Sequence, residues 1–253
     1  MVWDPQQYAV HAAPRARPFT DLLARVGATA PREVLDVGCG SGELTATLAR
    51  RWPSARVRGV DASTEMLAAA PADAGVEFSR GAAEDVDAGG TDVLVSNAVL
   101  QWVPTHEELL VRWAGQLVPG GWLAFQVPSN FGAPSHRLLR ELAARPRWAG
   151  VLDGVLREEP VADPLHYVGL LAGAGMTVDA WRTEYQHVLP GPDPVLTWVR
   201  GTALRPVLDA LPAADAERFT REYAALLREA YPAQPWGTPF PFLRTFVVAQ
   251  APA

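Results

Sequence analysis

Five short β-branched runs alternate with longer helical patterns between residues 33 and 128, and this alternation narrows the folds open to the chain more than any other feature. The runs are EVLDVG (33–38), RVRGVD (56–61), VEFSRG (76–81), DVLVSN (92–97) and WLAFQVP (122–128). Between them, ELTATLARRW, STEMLAAA and THEELLVRWAGQL space their apolar residues at i, i+3 and i+4, as one buried helix face requires. Strands that are almost wholly apolar have no solvent face. The pattern therefore predicts an α/β fold in which helices cover both sides of a parallel sheet. Ser63 and Thr105 are placed to cap helices, Thr105 with Glu108 in capping-box order, and Pro119, Gly120 and Gly121 stop one helix before its strand.

After Pro128 the pattern changes. Residues 129–160 read as helix interrupted by Pro134, Pro146 and Pro160, and a further helix leads to a strand near 176–189. Residues 193–231 are helical again, with Trp198, Phe219 and Tyr223 on apolar faces, and FLRTFVVAQ (242–250) is a last strand. The expected organisation is one domain over 1–253. It has a ligand-binding core at 30–128, helical cap insertions at 129–160 and 190–238, and an N-terminal segment at 1–20.

A formal charge of −6 argues against nucleic acid as a partner, which would call for a basic face. All 22 basic residues are Arg, so no Schiff base and no Lys general base is available. The single cysteine, Cys39, excludes an intrachain disulfide and a thiolate metal cluster, and no metal is expected; between two glycines it reads as a small packing residue. No apolar run approaches the roughly 18 residues of a membrane span. The N-terminus lacks the charged-then-apolar order of a signal peptide, so a reduced cytoplasm is the expected setting.

Gly38, Gly40 and Gly42 follow the first strand and precede a helical pattern. Glycines there allow positive φ and bring backbone N–H groups close to a ligand, with a helix N-terminus behind them. Dinucleotide binders space such glycines G-x-G-x-x-G. Here the spacing is G-x-G-x-G, and Glu43 at the helix entry would repel a pyrophosphate. A cofactor carrying an amino acid in place of phosphates escapes that repulsion. Asp61 closes the second strand about 20 residues beyond the glycines, where a carboxylate accepts from both ribose hydroxyls. The alternative is that Asp61, in DAS, only caps the next helix.

EVLDVGCGSG, GVD at 59–61 and LVPGG at 117–121 resemble the class I S-adenosylmethionine-dependent methyltransferases, in that family's order and spacing. The resemblance implies a Rossmann-like seven-stranded sheet with the last strand antiparallel. It also implies S-adenosylmethionine as cofactor. Asp36 would then lie near the cofactor's amino end, the three glycines would hold its methionine part, and Asp61, followed by Ala62, would grip the ribose. Asn97 and Trp102, at and beyond the end of strand four, would wall the cofactor. The family's acidic residue near the adenine falls here on Ala82, so Ala83, Glu84 or Asp85 must substitute. In the N-terminal segment, Tyr8 would act as a lid and Arg17 as partner of the methionine carboxylate; the alternative is a loose arm with a solvated Arg17.

Outside the core the resemblance narrows to the trans-aconitate 2-methyltransferases. It is carried by WDPQQY and RARPF, SNAVLQWVPTH, QVPSNFGAPSH, WRTEYQH, PVLTWVRGTALRPVL and FPFLRTFVVA. It implies methyl transfer to one carboxylate of a small tricarboxylic acid, with a monomethyl ester and S-adenosylhomocysteine as products. A carboxylate of ordinary pKa about 4 is ionised at neutral pH and needs no strong base. Catalysis is then mainly positioning, with an oxygen about 3 Å from the methyl carbon and in line with the departing sulfur. The other carboxylates call for Arg in bidentate geometry.

Ligands of open α/β sheets lie beyond the carboxyl ends of the strands. That ranks Gln101 after strand four, Asn130 after strand five, Tyr185 and His187 closing strand six, and Arg244 opening the last strand as the acceptor-side candidates. His187 is a substrate donor or a structural histidine. His136 in APSH contacts the acceptor or caps a helix, and Trp102 is a cofactor wall or core packing. Arg182, Arg200 and Arg205 read as surface cations, and His11, His106 and His166 as solvent or helix-surface residues. Other readings are an O-methyltransferase for a specialised-metabolite carboxyl or hydroxyl, and a cofactor-binding subunit without catalysis. An NAD-dependent oxidoreductase is disfavoured by the glycine spacing and Glu43.

Overall fold

The structure is a computed structural model that describes residues 12–158 and 160–253. Along the chain run α1 (Ala12–Leu23), β1 (Glu33–Val37), α2 (Thr45–Arg51), β2 (Arg56–Asp61), α3 (Thr64–Ala68), β3 (Val76–Arg80) and β4 (Val93–Asn97). There follow α4 (His106–Gln116), β5 (Trp122–Pro128), α5 (Pro134–Ala143), α6 (Pro146–Leu152), α7 (Pro164–Gly173) and β6 (Thr177–Leu189). The chain continues through α8 (Pro194–Arg200), α9 (Arg205–Ala210), α10 (Ala213–Ala230) and β7 (Thr238–Gln250). Single 3-10 turns occupy Ala83–Asp85 and Leu100–Trp102.

The seven strands form one sheet in the order β3-β2-β1-β4-β5-β7-β6. Strands β1 to β5 pair in parallel, and β7 runs antiparallel to β5. This is the mostly parallel sheet with an antiparallel strand that the sequence leads one to expect. The order reverses at β1, which lies between β2 and β4, so the loops after β1 and β4 flank the crevice that such sheets use for ligands. The β5–β7 register runs from Trp122 opposite Gln250 to Pro128 opposite Arg244. Arg244 is thereby brought level with the carboxyl end of β5.

Two compact units are present. The first holds the described residues up to Pro128, Pro160–Thr183 and Arg244–Ala253. Its core packs Leu35, Val37, Leu94, Leu123, Phe125 and Val127 from the strands with Trp113 of α4 and Tyr167 of α7. Ser63 caps α3 as expected, accepting from the Met66 N–H at 3.2 Å. Thr105 does not form the expected capping box. Its backbone, at φ −96° and ψ 22°, is outside the extended region from which a side chain reaches back over the first turn.

His106 also departs from expectation: it is buried, not on the surface. Its Nδ1 lies 3.0 Å from the Val103 carbonyl and its Nε2 2.9 Å from the Tyr167 hydroxyl. A carbonyl only accepts, so Nδ1 carries the proton and Nε2 accepts from the tyrosine. Tyr167 in turn accepts from the Ala162 N–H at 3.2 Å, and burial pushes its phenol up to about 12. The group is fully bonded, which accounts for a polar cluster inside an apolar layer.

The second unit comprises the described residues of Ser129–Glu159 together with Glu184–Leu243. Pro134, Pro146 and Pro194 prove to be helix starts, each occupying the first turn of α5, α6 or α8. Proline suits that place because its fixed φ is helical and its missing N–H would have had no partner. Trp198, Phe219 and Tyr223 are buried, as their spacing predicted, with Trp198 edge-on to Phe240 and Phe219 edge-on to Trp148. Ser135 is held at both backbone groups: Tyr223 Oη donates to its carbonyl at 2.6 Å, and its N–H donates to Tyr231 Oη at 3.0 Å. No helix among the described residues is long and apolar enough to cross a membrane.

Candidate active site

The loop after β1 turns on three glycines at positive φ: +79° at Gly38, +56° at Gly40 and +73° at Gly42. Their roles differ. A Cβ on Gly38 would lie 2.0 Å from Val99 Cγ2, and one on Gly42 would lie 2.4 Å from Phe78 Cζ. At Gly40 it would meet only the mobile methyl end of Met66, at 3.2 Å. Two of the glycines are thus demanded by the protein's own packing, whereas beside Gly40 only a flexible side chain would have to give way. Cys39 between them is buried, and burial pushes its thiol up, away from the reactive thiolate.

Asp61 pins this loop. Its Oδ2 accepts from the Gly40 N–H and its Oδ1 from the Ser63 N–H, both at 2.8 Å. The carboxylate therefore fastens the start of α3, as one reading of DAS had it, and the glycine loop as well. Each oxygen keeps a second lone pair for a ligand hydroxyl. In an Asp61→Asn variant the amide NH₂ would face one of these two N–H donors. Cofactor Kd is expected to rise about 10- to 100-fold, measured by calorimetry, from the loss of charge-assisted bonds. A Kd within a factor of two of native would remove Asp61 from the cofactor site.

Asp36, the fourth residue of β1, is 2% exposed. Thr45 Oγ1 donates to its Oδ2 at 2.6 Å, and its Oδ1 has no partner among the described residues. Burial pushes this carboxyl from its ordinary 3.8 up to about 7; the Thr45 bond opposes the shift and the nearby Asp61 charge adds to it. The folded chain thus holds a proton that the unfolded chain has released, so this group's contribution to stability falls as pH rises from about 4 to 7. Asp36→Asn is expected to flatten that slope. By thermal melts the variant should gain on the native protein at pH 8 by up to about 4 kcal/mol and lose that advantage as pH falls toward about 4. Parallel Tm profiles would refute it.

Beyond β3, Ala83, Glu84 and Asp85 form the 3-10 turn, with both acidic side chains exposed. The Glu84 carbonyl accepts from Arg112, and the carbonyl of exposed Ala62 accepts from Arg80 at 3.3 Å. Beyond β4, Ala98 takes φ +59° and Gln101 Nε2 donates to its carbonyl at 2.5 Å. Trp102, at 36% exposure, is not core packing.

A row of polar side chains, half-buried at Asn97 and buried at Gln126 and Arg244, crosses β4, β5 and β7. Gln126 Nε2 donates to Asn97 Oδ1 at 2.7 Å, and Arg244 Nη1 donates to Gln126 Oε1 at 3.1 Å. Arg244 is only 5% exposed. Reading the sequence missed Gln126, although one amide in the apolar run WLAFQVP was the available signal.

The second unit holds the other acceptor-side candidates. Asn130 is 4% exposed, and neither its Oδ1 nor its Nδ2 has a partner among the described residues; the same is true of Ser129 Oγ. A buried carboxamide left unbonded costs free energy that a bound polar ligand would recover. His136 lies inside the first turn of α5, edge-on to Phe131 with ring centroids 5.0 Å apart and with Nδ1 3.3 Å from Ser135 Oγ, so it does not cap that helix. Burial, helped by Arg140, pushes its pKa down to about 4, and the ring is neutral near pH 7. His187 is boxed by aromatic rings, its centroid 4.8 Å from Trp198, 6.1 Å from Phe242 and 6.2 Å from the buried Tyr185.

The remaining cations and histidines are more peripheral. Arg17 is exposed on α1, 3.9 Å from Asp21. Arg200 is exposed, Arg205 pairs with Asp209 at 3.1 Å, and Arg182 Nε reaches Thr245 Oγ1 at 3.4 Å. His166 is exposed and 3.0 Å from Glu107. Tyr8 and His11 lie outside the described residues.

Comparison with known proteins bears on what this geometry serves. Residues 34–121 match the family model described as "Methyltransferase domain". The structure superposes on that of Haemonchus contortus phosphoethanolamine N-methyltransferase 2 in complex with S-adenosyl-L-methionine. The TM-score is 0.55 at 17% identity, over 94% of this chain and 53% of that one, which establishes a shared fold. A trans-aconitate 2-methyltransferase of Streptomyces coelicolor is 53% identical over 99% of this chain and 87% of its own length. One from Rhodococcus jostii is also 53% identical, over 98% of this chain and 99% of its own. With relatives 53% identical over nearly the whole of this chain, the chain belongs to the trans-aconitate 2-methyltransferase family.

Proposed function

We propose that this protein transfers a methyl group from S-adenosylmethionine to one carboxylate of trans-aconitate, releasing a monomethyl ester and S-adenosylhomocysteine. The observation that carries the reading is Arg244, a guanidinium buried to 5% exposure and level with the carboxyl end of β5. A buried cation at the ligand edge of the sheet suits a polyanionic acid better than a neutral metabolite.

The residues present fit the cofactor. Gly40 is bordered only by the flexible end of Met66, Asp61 retains free lone pairs toward hydroxyls, and Asp36 keeps an unbonded buried oxygen for an ammonium group. We assign Gly38, Gly40, Gly42, Asp36, Asp61 and Ala62 to its methionine and ribose parts. Ala83, Glu84, Asn97 and Trp102 go to the adenine side, and Tyr8 and Arg17 to a covering segment. When bound, S-adenosylmethionine supplies a methyl group on a positively charged sulfur, and its transfer would turn the sulfonium and one carboxylate into an uncharged thioether and an uncharged ester group, the other carboxylates staying ionised. The chain need not remove a proton, since the acceptor is already an anion at neutral pH. Its work is orientation: Arg244 fixes a non-reacting carboxylate, with Gln101, Asn130 and His187 as further polar contacts. His136, neutral near pH 7, is not required as a base. The same reading sets the reaction in the cytoplasm on a free small acid, with neither nucleic acid nor membrane as partner.

The test is methyl transfer from labelled S-adenosylmethionine to a panel of di- and tricarboxylic acids, scored as base-labile esters. Trans-aconitate is expected to show the highest kcat/KM. Label in a base-stable product, or no preference among the acids, would overturn the assignment.

A further inference from the structure

We infer that Gln126 is a positioning residue that aims the Arg244 guanidinium at the substrate carboxylate without spending its charge. This rests on the reading that Arg244 binds the acid. Gln126 is the one amide in the buried strand β5, and its side chain is almost fully enclosed. Enclosure of an amide is tolerated only where both its ends are bonded. Both are, and the direction of the row is set by chemistry alone. A guanidinium has donors and no acceptor, so the atom facing Arg244 must be Oε1. That leaves Nε2 to face Asn97, which must answer with Oδ1. A flipped amide would set donor against donor at one end and acceptor against acceptor at the other.

The sheet register explains the alignment. Asn97 and Gln126 are direct neighbours on β4 and β5, and Gln126 pairs with Phe246 on β7. Arg244 is two residues from Phe246 and therefore on the same face as Gln126, at the diagonal distance a long side chain spans. The row thus ties the end of β4, beside the loop that carries Gln101 and Trp102, to the cation on β7.

The chemistry of position 126 matters as much as its place. A buried arginine is commonly steadied by Asp or Glu, which would also neutralise it. A carboxylate here would compete with the carboxylate of the substrate for the same donors. Glutamine supplies one acceptor of fixed direction and no charge, so this contact orients the guanidinium and leaves its attraction for an anion intact.

Gln126→Glu keeps the shape and adds a negative charge. It is expected to raise KM for trans-aconitate about 10- to 100-fold, with kcat and cofactor Kd within about threefold of native. Gln126→Leu, which keeps the bulk and deletes both bonds, is expected to raise KM less, about 3- to 10-fold. A structural glutamine would lower Tm and leave KM alone, so both are measured. Native KM in Gln126→Glu, with Arg244→Gln strongly impaired, overturns the inference and leaves the role of Arg244 standing. Native KM in Arg244→Gln overturns the reading beneath it. Should Gln126→Glu not fold, Gln126→Leu decides: a lowered Tm with native KM overturns the inference.

Discussion

Replacing Arg244 with glutamine should lower kcat/KM for trans-aconitate by two to three orders of magnitude, about 3–4 kcal/mol of transition-state stabilisation, while cofactor Kd stays within about threefold. The size follows from burial. Arg244 is 5% exposed, so water cannot take its place beside a bound carboxylate as it would at the surface. Arg244→Lys should recover little, because an ammonium lacks the fork that holds a carboxylate at two points and does not reproduce the reach to Gln126. Steady-state kinetics with a parallel Tm measurement separates lost recognition from lost fold. Unchanged kcat/KM in a folded Arg244→Gln protein would end the acceptor assignment.

Gly38→Ala should be the most damaging single change in the glycine loop. The added Cβ meets Val99 Cγ2 at 2.0 Å in a backbone held at φ +79°. Left-handed backbone costs a non-glycine residue about 1–2 kcal/mol and overpacking about 1–3, so the loss of stability should be about 2–5 kcal/mol, a fall of roughly 5–15 °C in Tm. Gly40→Ala shares the positive φ but meets only the end of Met66, and its loss should be about 1 kcal/mol. Cofactor binding should rank them differently, since Gly40 is the glycine bonded to Asp61. Equal Tm values for the two variants would show that Val99 moves aside.

The sheet was legible in the sequence because its parallel strands are short, carry β-branched or apolar residues and are bounded by turns, and every strand from β1 to β5 lies within its expected run. The glycine loop was legible for a related reason: three alternating glycines after a strand have few uses other than positive φ. Which glycine faces a ligand was not legible. Val99, in the loop after β4, and Phe78, on β3, occupy the space beside Gly38 and Gly42 and are distant from them along the chain. Distance along the chain hid His106 in the same way, because the hydroxyl that lets it be buried is 61 residues away. Gln126 depends on partners 29 and 118 residues distant, and only the register of β7 brings the second of them within reach. Local pattern reported the elements and their glycines faithfully. It did not report polar contacts across strands, and the acceptor side of the site is built from those.

The place of β7 has a consequence for how the chain matures. It is the last strand along the sequence, yet in the sheet it lies between β5 and β6, both of which leave the ribosome earlier. Until β7 arrives, one flank of β5 is an exposed, almost wholly apolar edge, and β6 has to wait without closing on it. Newly made molecules therefore pass through an interval in which a neighbour's strand is a rival for the vacant slot. The segment that ends this interval is also the one bearing Arg244. Competence to hold the acid and protection from misassembly are acquired in the same event, so a nascent chain does not present an acid-binding guanidinium at that edge before its sheet is complete.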